Sequence, residues 1–145
     1  MTEKILEIKR LSKYFYLSRN RVLRAVDEVT LDVRKGETFG LVGESGCGKS
    51  TLGRTIKGIY KPTGGQVFFE GTDIATYNKE QLKRYMRFMQ IIFQDPYSSL
   101  NPRMTVKELI AEGLEIHGMG TKKEREQKVF EVLEKVGLNP EHVTR

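Results

Sequence analysis

The sequence predicts an α/β fold, and three observations point to it. A short apolar run, Thr38-Phe-Gly-Leu-Val42, leads into a glycine-rich loop, Gly43 to Gly48, and then into a helical pattern with Leu52, Ile56 and Ile59 on one face. Two alternating segments precede this unit. Two capped helical patterns follow it, between Thr105 and Val136.

The first alternating segment, Lys4 to Leu11, is loose, whereas Ala25 to Val33 alternates cleanly through Val29, Leu31 and Val33. Both are expected as half-buried strands, joined across polar Ser18-Arg-Asn-Arg21 into an antiparallel β unit. Arg34-Lys-Gly-Glu37 reads as a tight reversal in which Gly36 takes positive φ. Thr38–Val42 is expected as a buried strand. Lys61-Pro-Thr-Gly-Gly65 marks a turn, Gln66–Glu70 a strand, Asn78-Lys-Glu-Gln81 the start of a short helix, and Met89–Phe93 another strand. Further on, Thr105 is an N-cap with Glu108 three residues later, and Val106, Leu109, Ile110 and Leu114 share a face. A last helix is expected from about Thr121 to Val136, with Val129, Val132, Leu133 and Val136 apolar and Gly137 as its C-terminal cap. Pro96 to Pro102 is the one connector-like stretch.

With 145 residues, 38% apolar and 30% charged, the chain has the size of one ordinary domain or part of one, and too much apolar content to be disordered. The longest apolar runs, such as Met89–Phe93, fall short of the roughly 20 residues of a membrane span. Met1 is followed by Thr2-Glu3-Lys4 rather than a signal core. A single cysteine, Cys47, leaves no internal disulfide framework and fits a reducing cytosol. The net charge of +6, from 25 basic and 19 acidic residues, is compatible with nucleic acid, anionic lipid or a small anion. The basic residues are scattered without a stripe of interleaved aromatics, so most read as solvated surface.

Chemistry enters at Gly43-Glu-Ser-Gly-Cys-Gly-Lys49-Ser50, which fits G-x-x-x-x-G-K-[ST] between a strand and a helix. Glycines let backbone N–H groups turn toward phosphate oxygens, and the helix start adds the positive end of its dipole. Lys49 brings a point charge to the outer phosphates and Ser50 a hydroxyl for Mg²⁺. The competing reading is a plain glycine turn that caps a helix. Cys47 has no histidine near it in sequence, so its backbone N–H counts for more than its thiol. His117 and His142 make no metal-ligand spacing and read as surface residues.

Three stretches, Leu11-Ser-Lys-Tyr-Phe15, Gly40-Leu-Val-Gly-Glu-Ser-Gly-Cys-Gly-Lys-Ser-Thr51 and Ile92-Phe-Gln-Asp-Pro-Tyr-Ser-Ser-Leu-Asn-Pro-Arg-Met-Thr-Val106, resemble the ATP-binding subunits of ABC transporters. The third is the most specific, and resembles the oligopeptide and dipeptide importer subgroup. The resemblance implies a P-loop NTPase fold of ABC type that binds ATP and Mg²⁺. Gly43, Glu44, Ser45, Gly46, Cys47, Gly48, Lys49, Ser50 and Thr51 would hold the nucleotide, Ser50 and Gln94 the metal, and Lys49 and Gln94 would serve catalysis. Phe15, with Tyr14 and Tyr16 as weaker candidates, would stack on adenine; a core aromatic is the competing reading. Gln94, otherwise a polar loop residue, would reach Mg²⁺ and the attacking water.

The same resemblance implies a division at residue 104. Residues 1–104 would form the N-terminal part of the nucleotide-binding core, with 95–104 near the transmembrane partner, and 105–145 would begin the helical subdomain. Implied partners are transmembrane permease subunits, a second ATP-binding subunit and, indirectly, a solute-binding protein, with no nucleic acid. The implied location is the cytoplasm, peripheral on the cytoplasmic face of the membrane.

The sequence holds no Leu-Ser-Gly-Gly-Gln type signature, no apolar strand ending in Asp-Glu and no later switch histidine. A truncated ABC domain is therefore the expectation, one that binds ATP without hydrolysing it alone and leaves a bare sheet edge prone to self-association. Two alternatives stay open. One is another phosphate-loop enzyme such as a kinase or GTPase, although Asn78-Lys-Glu-Gln81 lacks the aspartate of a guanine-reading Asn-Lys-x-Asp. The other is a non-catalytic module that binds nucleic acid through its basic surface.

Overall fold

Alternation in the first 34 residues produces a long hairpin, in which β1 (Lys4–Ser18) pairs antiparallel with β2 (Arg21–Arg34) across a turn at Arg19 and Asn20. The structure, a computed structural model, describes residues 3–95, 97–139 and 141, without the side chain of Ser98. It divides into two compact units, Met1–Ile91 and Ile92–Arg145.

The looseness of the first alternating segment has a structural cause. Register shifts fall between Ile8 and Leu11 on β1 and between Leu11 and Lys13 against β2, where Arg10 and Glu28 take φ of 47° and 48°. Each bulge frees a backbone N–H from the ladder, and a hydroxyl receives it: Arg10 N–H donates to Thr30 Oγ1 at 2.9 Å, and Glu28 N–H to Ser12 Oγ at 3.0 Å. The extra residue moves the inward positions, so Ile8 and Leu11, three apart, are both fully buried.

On its other edge β1 pairs with β3 (Gly64–Phe69), which turns into the short β4 (Thr72–Asp73), giving the order β2-β1-β3-β4. Leu6, Ile8, Leu11, Val26 and Val67 form the inner face of this sheet. The helix α1 (Lys49–Ile56) seals it with Leu52. Each such side chain contributes about 1.5–3 kcal/mol by leaving water.

The helix α2 (Lys79–Phe88) starts at a capping box of Asn78 and Gln81, and buries Tyr85 edge-on against Phe69 and Tyr77. It also grips α1. Tyr85 OH donates to the Ile56 carbonyl at 2.5 Å. Lys57, whose amine is pushed below its ordinary pKa by burial, donates to the carbonyls of Met86 and Met89.

Two expected strands are absent. Thr38–Val42 and Met89–Phe93 carry no strand structure, with Val42 94% and Ile92 91% exposed. An apolar strand buried on both faces draws its hydrogen bonds from flanking strands. Among the described residues neither run belongs to a sheet. Ile59 also leaves the expected helical face, because α1 stops at Ile56 and Gly58 turns the chain at φ 85°.

In the second unit α3 (Val106–Ile116) and α4 (Lys122–Lys135) pack through Val129 and Leu133, both fully buried, against Val106, Ile110 and Ala111. Thr105 with Glu108, and Thr121 with Glu124, close capping boxes. Gly137 at φ 72° ends α4, its N–H donating to Glu134 O at 3.0 Å while Leu138 N–H reaches Leu133 O at 2.9 Å. Val136 lies beyond the last turn and is exposed. His117 is half-buried at the C-cap of α3; His142 lies outside the described residues. No helix among the described residues is long and apolar enough to cross a membrane.

Candidate functional site

The four α-helices among the described residues treat their N-termini differently. Asn78, Thr105 and Thr121 cap α2, α3 and α4, each with a glutamate in the first turn. The helix α1 instead begins at Gly48, with no side-chain cap and no acidic residue in its first turn. Its leading N–H groups thus meet no side-chain acceptor of their own, and the positive end of its dipole meets no carboxylate. That suits an anion supplied from outside.

Glycine is required at Gly48, where the loop is pressed against a backbone carbonyl; at Gly43 the near atom belongs to a side chain that can turn aside. At Gly48, φ is 102° and a Cβ would come within 2.1 Å of the Ala25 carbonyl oxygen on β2. At Gly43 a Cβ would come within 2.7 Å of Cys47 Sγ. The loop is closed on itself by Cys47 N–H, which donates to Glu44 O at 3.3 Å.

Lys49 Nζ folds back along this loop, donating to Gly43 O at 2.7 Å and Glu44 O at 2.6 Å, with Cys47 Sγ 3.5 Å away. Its oxygen partners are neutral carbonyls, so the positive charge is left for an anion. Ser50 is exposed in the first helical turn, as are Glu44, Ser45, Gly46 and Cys47 in the loop, while Thr51 is half-buried and its carbonyl accepts from Thr55 Oγ1 at 2.7 Å. A lining of backbone N–H groups and one ammonium fits a polyphosphate. It does not fit a bare divalent cation, which would arrive on the phosphates and meet the Ser50 hydroxyl.

Phe15 sits half-buried on β1 opposite Leu23, and its ring meets Tyr60 edge-on with centroids 5.5 Å apart. Its neighbours differ. The Tyr14 hydroxyl donates to the Asp27 carboxylate, a bond that holds its pKa above the usual phenol range, and Arg24 lies over its ring. Tyr16 is exposed. Gln94 is exposed in an irregular segment of the second unit, whereas the loop and Phe15 belong to the first. Sequence reasoning misses Ala25, Lys13 and Tyr60, because only the strand register and the turn after α1 bring them to the loop or to Phe15.

A family model described as ABC transporter matches residues 26–145. The chain is 56% identical over 147 residues to the oligopeptide transport ATP-binding protein OppF of Bacillus subtilis (strain 168), covering 100% of this chain and 48% of that protein. It is 50% identical over 142 residues to the putative oligopeptide transport ATP-binding protein YkfD of the same organism, covering 97% and 43%. The chain thus spans about half the length of the curated relatives it matches. In fold it is similar to the ATP-binding cassette MJ0796, solved as a dimer in a post-hydrolysis state bound to ADP and Pi. That likeness has a TM-score of 0.78 at 24% identity, and covers 97% of this chain and 60% of that one. Since the family model matches most of the chain, which is similar in fold to an ATP-binding cassette, the chain belongs to the ABC transporter family.

Proposed function

We propose that this chain is the nucleotide-binding part of an ATPase subunit that energises the import of peptides across the cytoplasmic membrane. The observation that carries the reading is the N-terminus of α1, which has neither a side-chain cap nor an acidic residue and faces a loop whose one cation, Lys49, is bonded only to neutral groups. The names of the relatives, oligopeptide transport ATP-binding proteins, support the peptide cargo. Residues 43–51 cradle the phosphates, Lys49 neutralises the outer ones, and Phe15 receives the adenine. Ser50 would offer its hydroxyl to Mg²⁺, which when bound neutralises charge on the phosphates.

In this reading residues 1–104 serve the nucleotide-binding core and 105–145 open the helical subdomain. The partners are permease subunits and a second ATP-binding subunit, with a solute-binding protein acting through the permease, at the cytoplasmic face of the membrane. The residues named here bind and orient nucleotide, and for this chain the activity proposed is binding.

Titration calorimetry of Mg²⁺ and ATP against the chain and its Lys49→Ala variant tests this. A charge-assisted hydrogen bond contributes about 1.5–3 kcal/mol, so the variant should bind tenfold or more weakly. Equal affinity would remove the phosphate site from this loop.

A further inference from the structure

The ring of Phe15 is held from the far end of the phosphate-loop helix. Tyr60, in the turn after α1, meets it at an interplanar angle of 88°. Lys13 Nζ lies 5.0 Å from the Phe15 centroid and 5.8 Å from that of Tyr60, and it donates to the Lys61 carbonyl at 2.9 Å. The same turn is bonded to β1 on both sides of Lys13. Thr63 N–H donates to Ser12 O at 2.8 Å, and Tyr14 N–H donates to Thr63 Oγ1 at 2.9 Å. Tyr60 is tied to α1 in turn, its N–H reaching Arg54 O at 3.2 Å and its hydroxyl accepting from Arg54 at 3.4 Å. An edge-to-face partner and a cation over the rings restrict how Phe15 can tilt.

We propose that Tyr60 and Lys13 are positioning residues for Phe15, so that the turn leaving the phosphate-loop helix sets the plane on which the adenine stacks. The proposal rests on the reading of Phe15 as the adenine platform. Its consequence is a rigid link between the two ends of the nucleotide site, with phosphates at the start of α1 and the base against a ring that the end of α1 holds. Neither residue touches the nucleotide.

The test compares ATP with inorganic tripolyphosphate, which offers the phosphates without the base, in titrations of the 145-residue chain and its Phe15→Ala, Tyr60→Ala, Tyr60→Phe and Lys13→Met variants. Losing an aromatic pair should weaken ATP about three- to tenfold in Phe15→Ala and Tyr60→Ala while tripolyphosphate affinity holds. Tyr60→Phe, which keeps the ring, should restore ATP affinity, and Lys13→Met should show a smaller loss confined to ATP. The double variant Phe15→Ala/Tyr60→Ala should lose no more than Phe15→Ala alone, since Tyr60 acts through that ring. If Phe15→Ala weakens ATP and Tyr60→Ala does not, the positioning role is overturned and the platform stands. If Tyr60→Ala weakens ATP and tripolyphosphate alike, its role is structural and the proposal fails. If Phe15→Ala leaves ATP affinity unchanged, the platform reading falls and takes the proposal with it.

Discussion

The Tyr85 hydroxyl donates to the Ile56 carbonyl oxygen at 2.5 Å, so α2 closes the end of the helix that the phosphate loop begins. Ile56 O is one of the last carbonyls of α1, which have no partner within the helix. Tyr85→Phe keeps the contacts with Phe69 and Tyr77 and strands this acceptor in a buried site, at an expected cost of about 1–3 kcal/mol by urea unfolding. A pH signature accompanies it. Burial raises the folded-state pKa of Tyr85 above the unfolded value of about 10, so its contribution is complete below that pH and declines as pH rises through the folded value. Above about pH 10 the unmodified chain should therefore lose stability more steeply than Tyr85→Phe. Parallel profiles would show that Tyr85 keeps access to water.

How legible the molecule is in its sequence depends on the distance over which each feature is decided. Capping boxes are written within four residues, so Thr105 with Glu108 is readable directly, and Gly137 as a cap needs only a positive φ. The glycine loop that leads into α1 is readable for the same reason, since consecutive residues carry its geometry. Thr38–Val42 and Met89–Phe93 fail because a strand is completed by its neighbours, and apolar character alone supplies no ladder. The bulge at Arg10 fails differently: it breaks the period of two that identifies a strand, and Thr30, whose hydroxyl receives the freed N–H, lies 20 residues away. Tyr60 was illegible as a neighbour of Phe15 because 45 residues and a register separate them.

Acid should loosen the second unit through its helix caps. Glu108 and Glu124 are each held below the ordinary carboxylate pKa, chiefly by the backbone N–H of Thr105 and of Thr121. A depressed folded pKa gives stability that is present above the unfolded value, about 4.3, and is lost as pH falls through the folded one. Helicity by circular dichroism should accordingly decline below about pH 4.3. Glu108→Gln and Glu124→Gln retain an acceptor for the cap without the charge, and each should flatten that decline. An unchanged acid transition in the double variant would assign it to other carboxylates.

The two inner glycines of the loop should respond unequally to a methyl group. Gly46 and Gly48 both hold positive φ, 81° and 102°, yet a Cβ at Gly46 meets nothing within 4 Å whereas one at Gly48 would lie 2.1 Å from the Ala25 carbonyl oxygen. Gly46→Ala therefore carries only the conformational cost of a non-glycine residue there, about 1 kcal/mol. Gly48→Ala carries strain of about 1–3 kcal/mol and must also push the loop away from β2, because a backbone carbonyl in a paired strand cannot yield as a side chain would. Thermal melts should thus show a drop of about 2–4 °C for Gly46→Ala and a clearly larger one for Gly48→Ala. Calorimetric titration should show ATP affinity lost in Gly48→Ala, because moving the loop off Ala25 turns the first N–H groups of α1 away from the phosphates. Equal melting temperatures for the two variants, with ATP binding intact in both, would mean that contact with Ala25 does not set the shape of the cradle.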